Sequence, residues 1–285
     1  MGFALSPHAI ILILCLGVGV ALVGIAIVMP ALLRTCLAVK AGSDAAQDWR
    51  GRVQLRYQNL RTYHWMFVRF KLRRDPMFLE LPDLVQAAAN VRTILDVGCG
   101  YGVAGCAMLE WFPQAAIYAM DPDTARVGVA ASAFGERGQV VQAGAPHIVV
   151  PGFPPHFDLI LMLDVIHYIS DAEFKLTLER ICDRLDAGGR LVLRAVIPPS
   201  GLGSKLWNLE QIRQRIIGLR AYYRTVDQIC QRMVETGLKV SCAKCSGGNP
   251  ESYWFVAQAE SSTGIGQGAM PSGQLAAQAQ NQEHD

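Results

Sequence analysis

Thr93-Ile-Leu-Asp-Val-Gly-Cys-Gly-Tyr-Gly-Val103 decides the fold. An apolar run, Ile94–Val97, carries an acid at Asp96, and glycines follow at 98, 100 and 102. The run reads as a buried parallel strand and the glycines as the turn into a helix. Such a turn needs positive φ and a backbone that a ligand can approach closely, which glycine allows. A dinucleotide fingerprint, G-x-G-x-x-G, is the main rival. The third glycine comes one residue early for it, and position 103 is Val. A purely structural turn in some other α/β protein also stays open at this point.

Downstream, strands and helices alternate. Ala115–Met120 is a second apolar strand that ends in Asp121-Pro-Asp123, with Asp121 placed 25 residues after Asp96. An acid at the tip of a second parallel strand can accept hydrogen bonds from both hydroxyls of a ribose. The plain helix-cap role in that segment belongs to Asp123. Gln139–Gln142 is a short third strand, followed by Ala143-Gly-Ala-Pro146. Phe157–Leu163 is a fourth, apolar enough to be central, and leads into Asp164-Val-Ile-His-Tyr-Ile169. Ser170-Asp-Ala-Glu173 is a capping box. Phe174, Leu178, Ile181 and Leu185 then recur at helical spacing up to Gly188, before a fifth strand at Arg190–Ile197. A helix over Lys205–Arg220 and another from Thr225 to Gly237 follow. Two final strands, Leu238–Ala243 and Ser252–Ala259, flank a Ser246–Pro250 turn. This order demands a doubly wound, mostly parallel sheet with helices on both faces.

From residue 91 to 259 these motifs, in this order, resemble the class I S-adenosylmethionine (SAM) methyltransferases. The resemblance implies a Rossmann-like, seven-stranded α/β fold with SAM as cofactor. It implies that Gly98, Gly100 and Gly102 let the backbone approach the methionine part of SAM, that Asp96 orients that loop and the amino group, and that Asp121 holds the ribose. Family members often carry an acid after the third strand, bonded to the adenine amino group. This chain has none there, so Gly144 and Ala145 are expected to serve. Asp164, counted with the cofactor contacts, and His167 fall where such enzymes meet their acceptor. His167 is expected as base or acceptor contact and Tyr168 as a lining residue, because an OH acceptor must lose a proton. Arg194 reads either as a partner for an acidic acceptor or as a structural ion pair. Two other functions stay open: an aminopropyl transferase, and a non-catalytic SAM-binding or interaction module.

The 285-residue chain has an uneven charge distribution. Residues 1–33 carry no charged side chain, residues 34–74 net +8, and the rest −6, for a total of +2. Ala9–Leu33 is 25 uncharged residues. As a helix it rises about 37 Å, enough to cross a hydrocarbon core of about 30 Å. We expect one transmembrane helix in residues 1–34, with the basic collar after it placing the body in the cytoplasm of an inner membrane. A secretory signal is the alternative, but Met1–His8 has no Lys or Arg.

Within the collar, residues 35–90, no Gly or Pro interrupts Arg52–Asp75, which predicts one helix rich in arginine and aromatics. It is expected to lie along headgroups or to pack on the domain. The adjoining span argues against nucleic acid as a partner. Residues 260–285 read as a disordered tail. The eight cysteines form no disulfide pattern. Cys242-Ala-Lys-Cys245 allows a redox or zinc role, but there is no second C-x-x-C to complete a zinc set. Lys71-Leu-Arg-Arg-Asp-Pro76, Leu163–Ile169 and Leu193-Arg194 together resemble bacterial methyltransferases of aryl-polyene and xanthomonadin-type pigment pathways. That resemblance implies an aromatic or polyene-linked acceptor. Quinone precursors and other lipid-like molecules suit the same physics.

Overall fold

The computed structural model describes residues 48–86, 90–199, 201, 204, 207–208 and 221–259. The predicted span Ala9–Leu33 and the 260–285 tail lie outside the described residues. So does the predicted helix Lys205–Arg220, except for Trp207 and Asn208. Among the described residues, no helix is long and apolar enough to cross a membrane.

Helices α1 (Trp49–Leu55), α2 (Thr62–Arg74) and α3 (Met77–Gln86) precede β1 (Thr93–Val97). Then come α4 (Val103–Trp111), β2 (Ala116–Asp121), α5 (Thr124–Phe134), β3 (Gly138–Gln142), β4 (Phe157–Leu163), α6 (Asp171–Arg184) and β5 (Leu185–Val196). Helix α7 (Val226–Glu235) and strands β6 (Leu238–Ser246) and β7 (Asn249–Ala259) complete the fold. The sheet has seven strands in the order β3-β2-β1-β4-β5-β7-β6. It is mixed rather than wholly parallel: β7 runs antiparallel to both β5 and β6. The order reverses between β1 and β4, and the strand ends on either side of that reversal form a crevice open to ligands.

Period-2 alternation divides the core between the two faces. Ile94, Leu159, Leu161 and Val192 face the helices α1 to α5. Leu95, Ile160, Met162 and Leu193 face α6 and α7. The predicted capping box forms at Ser170, and Thr225 makes a second one with Gln228 at the start of α7. Asp123 caps α5 by accepting from the backbone N–H groups of Ala125 and Arg126.

The single helix expected over Arg52–Asp75 is two. Its axis breaks after Leu55, where the N–H of Tyr57 donates to Gln54 O and that of Leu60 to Tyr57 O, both in tight i→i−3 bonds. Tertiary contacts override the uninterrupted helical composition. Tyr57 is fully buried and its hydroxyl donates to Tyr101 O at 2.8 Å. Arg52 and Arg56 both pair with Glu110 of α4, at 2.6 and 2.8 Å. In α3, Pro82 cannot donate to Phe78 O, and Arg50 Nη2 reaches that carbonyl instead at 3.4 Å. Glu80 ties α3 to the far hairpin, accepting from Trp254 Nε1 (2.7 Å), Ser246 Oγ (3.1 Å) and Gly247 N (3.0 Å).

Two element ends differ from expectation. Helix α6 stops at Arg184 and β5 begins at Leu185, before Gly188, because Phe157 pairs with Leu185 across an irregularity in the ladder. The β6–β7 turn tightens onto Gly247 and Gly248 at φ +59° and +70°, which lengthens both strands. Cys242 and Cys245 lie on β6 as free thiols. The described residues hold no group of three or more His, Cys, Asp or Glu arranged for a metal.

Candidate active site

The glycine turn closes over the end of β2. The N–H groups of Gly98 and Cys99 both donate to Met120 O, at 2.8 and 2.9 Å. All three glycines have positive φ: +76° at Gly98, +57° at Gly100 and +79° at Gly102. At Gly98 a Cβ would lie 2.5 Å from Val165 Cγ2, so close packing also excludes a side chain. At Gly100 a Cβ would meet nothing within 4 Å, because that face of the turn opens on a cavity. The cavity holds about 770 Å³.

Three acids reach it from the strand ends. Asp96 is 2% exposed, and its Oδ2 has no hydrogen-bond partner among the described residues. Burial, and then the nearby Asp121 charge, push its pKa up to about 7. Asp121 is equally buried. Its Oδ2 accepts from Gly100 N at 2.9 Å and its Oδ1 from Asp123 N at 3.0 Å, so it braces the turn as well as facing the cavity. Gly144 and Ala145, just past β3, line the same side. Arg126, 3.9 Å from Asp121, lines it too. Nothing in the local sequence singles Arg126 out.

Asp164 follows β4 at φ +57°, a left-handed conformation uncommon outside glycine and best tolerated by Asn and Asp. Burial raises its pKa, opposed by Arg194 and Lys71 and reinforced by Asp75. Its Oδ2 accepts from Arg194 Nη1 at 3.2 Å. The same nitrogen donates to Asp75 Oδ1 at 3.0 Å and Oδ2 at 3.3 Å, and Lys71 Nζ lies 2.7 Å from Asp75 Oδ2. Against the effect of burial, Lys71 and then Arg194 hold the Asp75 carboxyl below its ordinary range. Arg194 is therefore a structural ion pair, the second of the two roles its position in the sequence allows.

The expected residues Asp96, Gly98, Gly100, Asp121, Gly144, Ala145, Asp164 and Tyr168 all meet on this one cavity. Gly102 and His167 do not line it. Gly102 caps α4 against the Phe134 ring. His167 is 6% exposed, its ring 4.0 Å from that of Tyr168 and stacked at 6.0 Å on Tyr223. It stands behind Tyr168 rather than at the wall. Arg224, not foreseen, pins this loop by donating to Ile166 O (2.6 Å), Ile169 O (2.8 Å) and Asp171 Oδ1 (2.7 Å). The remaining wall is apolar and aromatic. Phe67 packs on Tyr101 with ring centroids 5.2 Å apart, and both line the cavity with Met77, Leu163 and Ile169. Phe67, Lys71 and Met77 come from the collar, whose aromatics are legible in sequence only as a membrane or packing signal.

Residues 95–191, less than half of the chain, match a family model described as a methyltransferase domain. No curated protein matches the chain. Among solved structures it is similar to the pyocyanin biosynthetic protein PhzM, at 19% identity and a TM-score of 0.54, over 79% of this chain and 67% of that one. It is similar to the mitomycin 7-O-methyltransferase MmcR, at 17% and 0.50, over 72% and 60%. It is also similar to human N-acetylserotonin methyltransferase, solved in complex with SAM, at 16% and 0.50, over 75% and 57%. The chain thus spans 57% to 67% of those proteins' lengths, and at these identities the likeness is one of fold. The residues present fit SAM: the unpartnered Asp96 oxygen suits an ammonium group, and the open face of Gly100 leaves room for close approach. The match to a methyltransferase domain spans the glycine turn, Asp121 and Asp164, and the fold around them is the one these three solved proteins share.

Proposed function

We propose that the protein transfers a methyl group to a small lipophilic or aromatic acceptor. One observation carries this reading: the glycine turn and three buried or half-buried acids share one cavity with the aromatic rings of Phe67, Tyr101 and Tyr168. Bound SAM supplies an electrophilic methyl group on a sulfonium. In this reading Asp96 receives the cofactor's amino group, Asp121 its ribose hydroxyls, and Gly144 and Ala145 its adenine edge. Asp164 lines the same cavity. Phe67, Tyr101 and Tyr168 hold the acceptor and exclude water, so that the enzyme works mainly by positioning. His167 supports the Tyr168 ring from behind, a positioning role rather than a contact with the acceptor.

The uncharged stretch Ala9–Leu33 and the net +8 of residues 34–74 support a single inner-membrane span with a cytoplasmic catalytic domain. The motif resemblance supports an aryl-polyene-type pigment precursor as acceptor. Methyl transfer from labelled SAM to an organic-phase extract tests the reading: label should enter the organic phase. Protein that binds SAM and transfers nothing would leave only a binding module.

Asp96 makes the cofactor step pH-dependent. Its folded pKa of about 7 lies above the unfolded value of about 3.9. The folded state therefore binds the extra proton between those values, and stability present at low pH is lost as pH rises through 7. An ammonium group needs the charged carboxylate, so SAM affinity should rise over the same interval. Asp96→Asn should abolish that rise, bind SAM more weakly, and melt higher than the wild-type apo protein at pH 8. Calorimetric titration and thermal melts at pH 6 and 8 check both signs.

A further inference from the structure

Helix α2 has three faces. Trp65, Val68 and Leu72 are buried in the core. Phe67 and Lys71 line the cavity. Tyr63, Met66 and Phe70 are exposed, at 63%, 41% and 67%, with the Tyr63 ring also stacked 6.3 Å from that of Phe67 at the cavity's edge. Spaced i, i+3, i+7, they make one stripe on the helix. Exposed apolar residues scattered singly need no explanation, but an aromatic stripe of this kind marks an interaction surface.

Charge identifies the partner. Thr62–Arg74 contains no Asp or Glu. Arg73 and Arg74 extend the stripe by one turn, both exposed, and exposed Arg61 stands just before it. Arg69 lies beside it, its guanidinium 5.7 Å from the Trp65 ring centroid. Asp75, the acid that follows, is already engaged by Lys71 and Arg194. Aromatic and thioether side chains flanked by arginines suit the headgroup level of an anionic bilayer. Only 28 residues separate Leu33 from Thr62, a tether of at most about 90–100 Å.

We propose that the Tyr63–Met66–Phe70 face of α2 docks on anionic lipid, and that the acceptor enters from the bilayer over the edge of this helix, past Phe67, into the cavity. The proposal rests on the anchoring reading above only for the nearness of the bilayer. It adds that the catalytic domain itself lies on the membrane and draws an amphipathic acceptor from it.

Hydroxyl-radical footprinting of the full chain, read by mass spectrometry, tests it on vesicles of phosphatidylcholine alone and of phosphatidylcholine with phosphatidylglycerol. Labelling of Tyr63, Met66 and Phe70 should fall several-fold on the anionic vesicles only. Val234, 60% exposed on α7 across the sheet, should not change. Combining Arg69→Gln, Arg73→Gln and Arg74→Gln should restore labelling and weaken anionic-vesicle binding by about fivefold per arginine, with SAM binding retained. Equal labelling of the stripe on both vesicle types overturns the proposal, as does protection that survives in the triple variant. Should the variant lose SAM binding, the wild-type comparison between vesicles decides alone. Retention on neutral vesicles after a high-salt wash reports separately on Ala9–Leu33, so failure of the span and failure of the docking face are distinguishable.

Discussion

Arg194→Ala is expected to destabilise the protein by about 3–5 kcal/mol, the cost of removing one partner from a buried charge pair. The melting temperature should fall by roughly 6–20 °C, taking about 2–4 °C per kcal/mol for a domain of this size. The Arg194 side chain is 9% exposed and serves Asp75, at 16%, and Asp164, at 34%. Asp75 keeps Lys71 at 2.7 Å. Asp164 loses the guanidinium it is bonded to, and because its side chain is a third open to the cavity, solvent screening pulls the total toward the lower figure. Ser252 Oγ loses its donor at 3.2 Å and the Trp254 ring loses the guanidinium 5.6 Å above it.

Arg194→Lys should recover only part of this, since one ammonium cannot reproduce the guanidinium fork. Asp75 titrates below the ordinary carboxylate range when folded, so its share is present above the unfolded pKa and disappears as pH falls through the folded one. The gap between wild type and Arg194→Ala should therefore narrow in strong acid. A loss under about 1 kcal/mol at pH 7, the scale of a surface pair, would show that the Lys71–Asp75–Arg194–Asp164 chain does not hold the collar to the sheet.

Asp121→Ala is expected to weaken SAM binding by roughly ten- to hundredfold, the scale of hydrogen bonds to a charged acceptor. Two losses combine. The ribose acceptor disappears, and the N–H groups of Gly100 and Asp123 lose the carboxylate at 2.9 and 3.0 Å that braces the turn. Asp121→Asn should fall between, because its amide oxygen can replace one of those acceptors. Calorimetry on the three proteins gives the ordering, and an unchanged affinity in Asp121→Ala would remove this residue from the site.

The glycine turn and the acids beside it are readable in the sequence because each of those parts is local. Asp96, Asp121 and Asp164 each stand at or just past the end of an apolar run, and the glycines mark positive φ within five residues. Strand period and helix capping are equally local, and β4 and the Ser170 capping box appear where the sequence puts them. Where a neighbour intervenes, the local reading misses: the break in Arg52–Asp75, the early start of β5, and the placing of His167 behind Tyr168.

By itself, then, the sequence determined the alternation of strand and helix, the glycine turn and the acids that face the cavity. Backbone conformation and burial period are properties of a few successive residues. Only the tertiary structure decided what closes the cavity. Lys71, Asp75 and Arg194 are joined by a contact spanning 119 residues, and Phe67 reaches Tyr101 from another helix. Such contacts depend on how helices dock on the sheet, which no local pattern records. The collar, in sequence a basic and aromatic stretch, is in three dimensions part of the cavity's wall and a face exposed beside it.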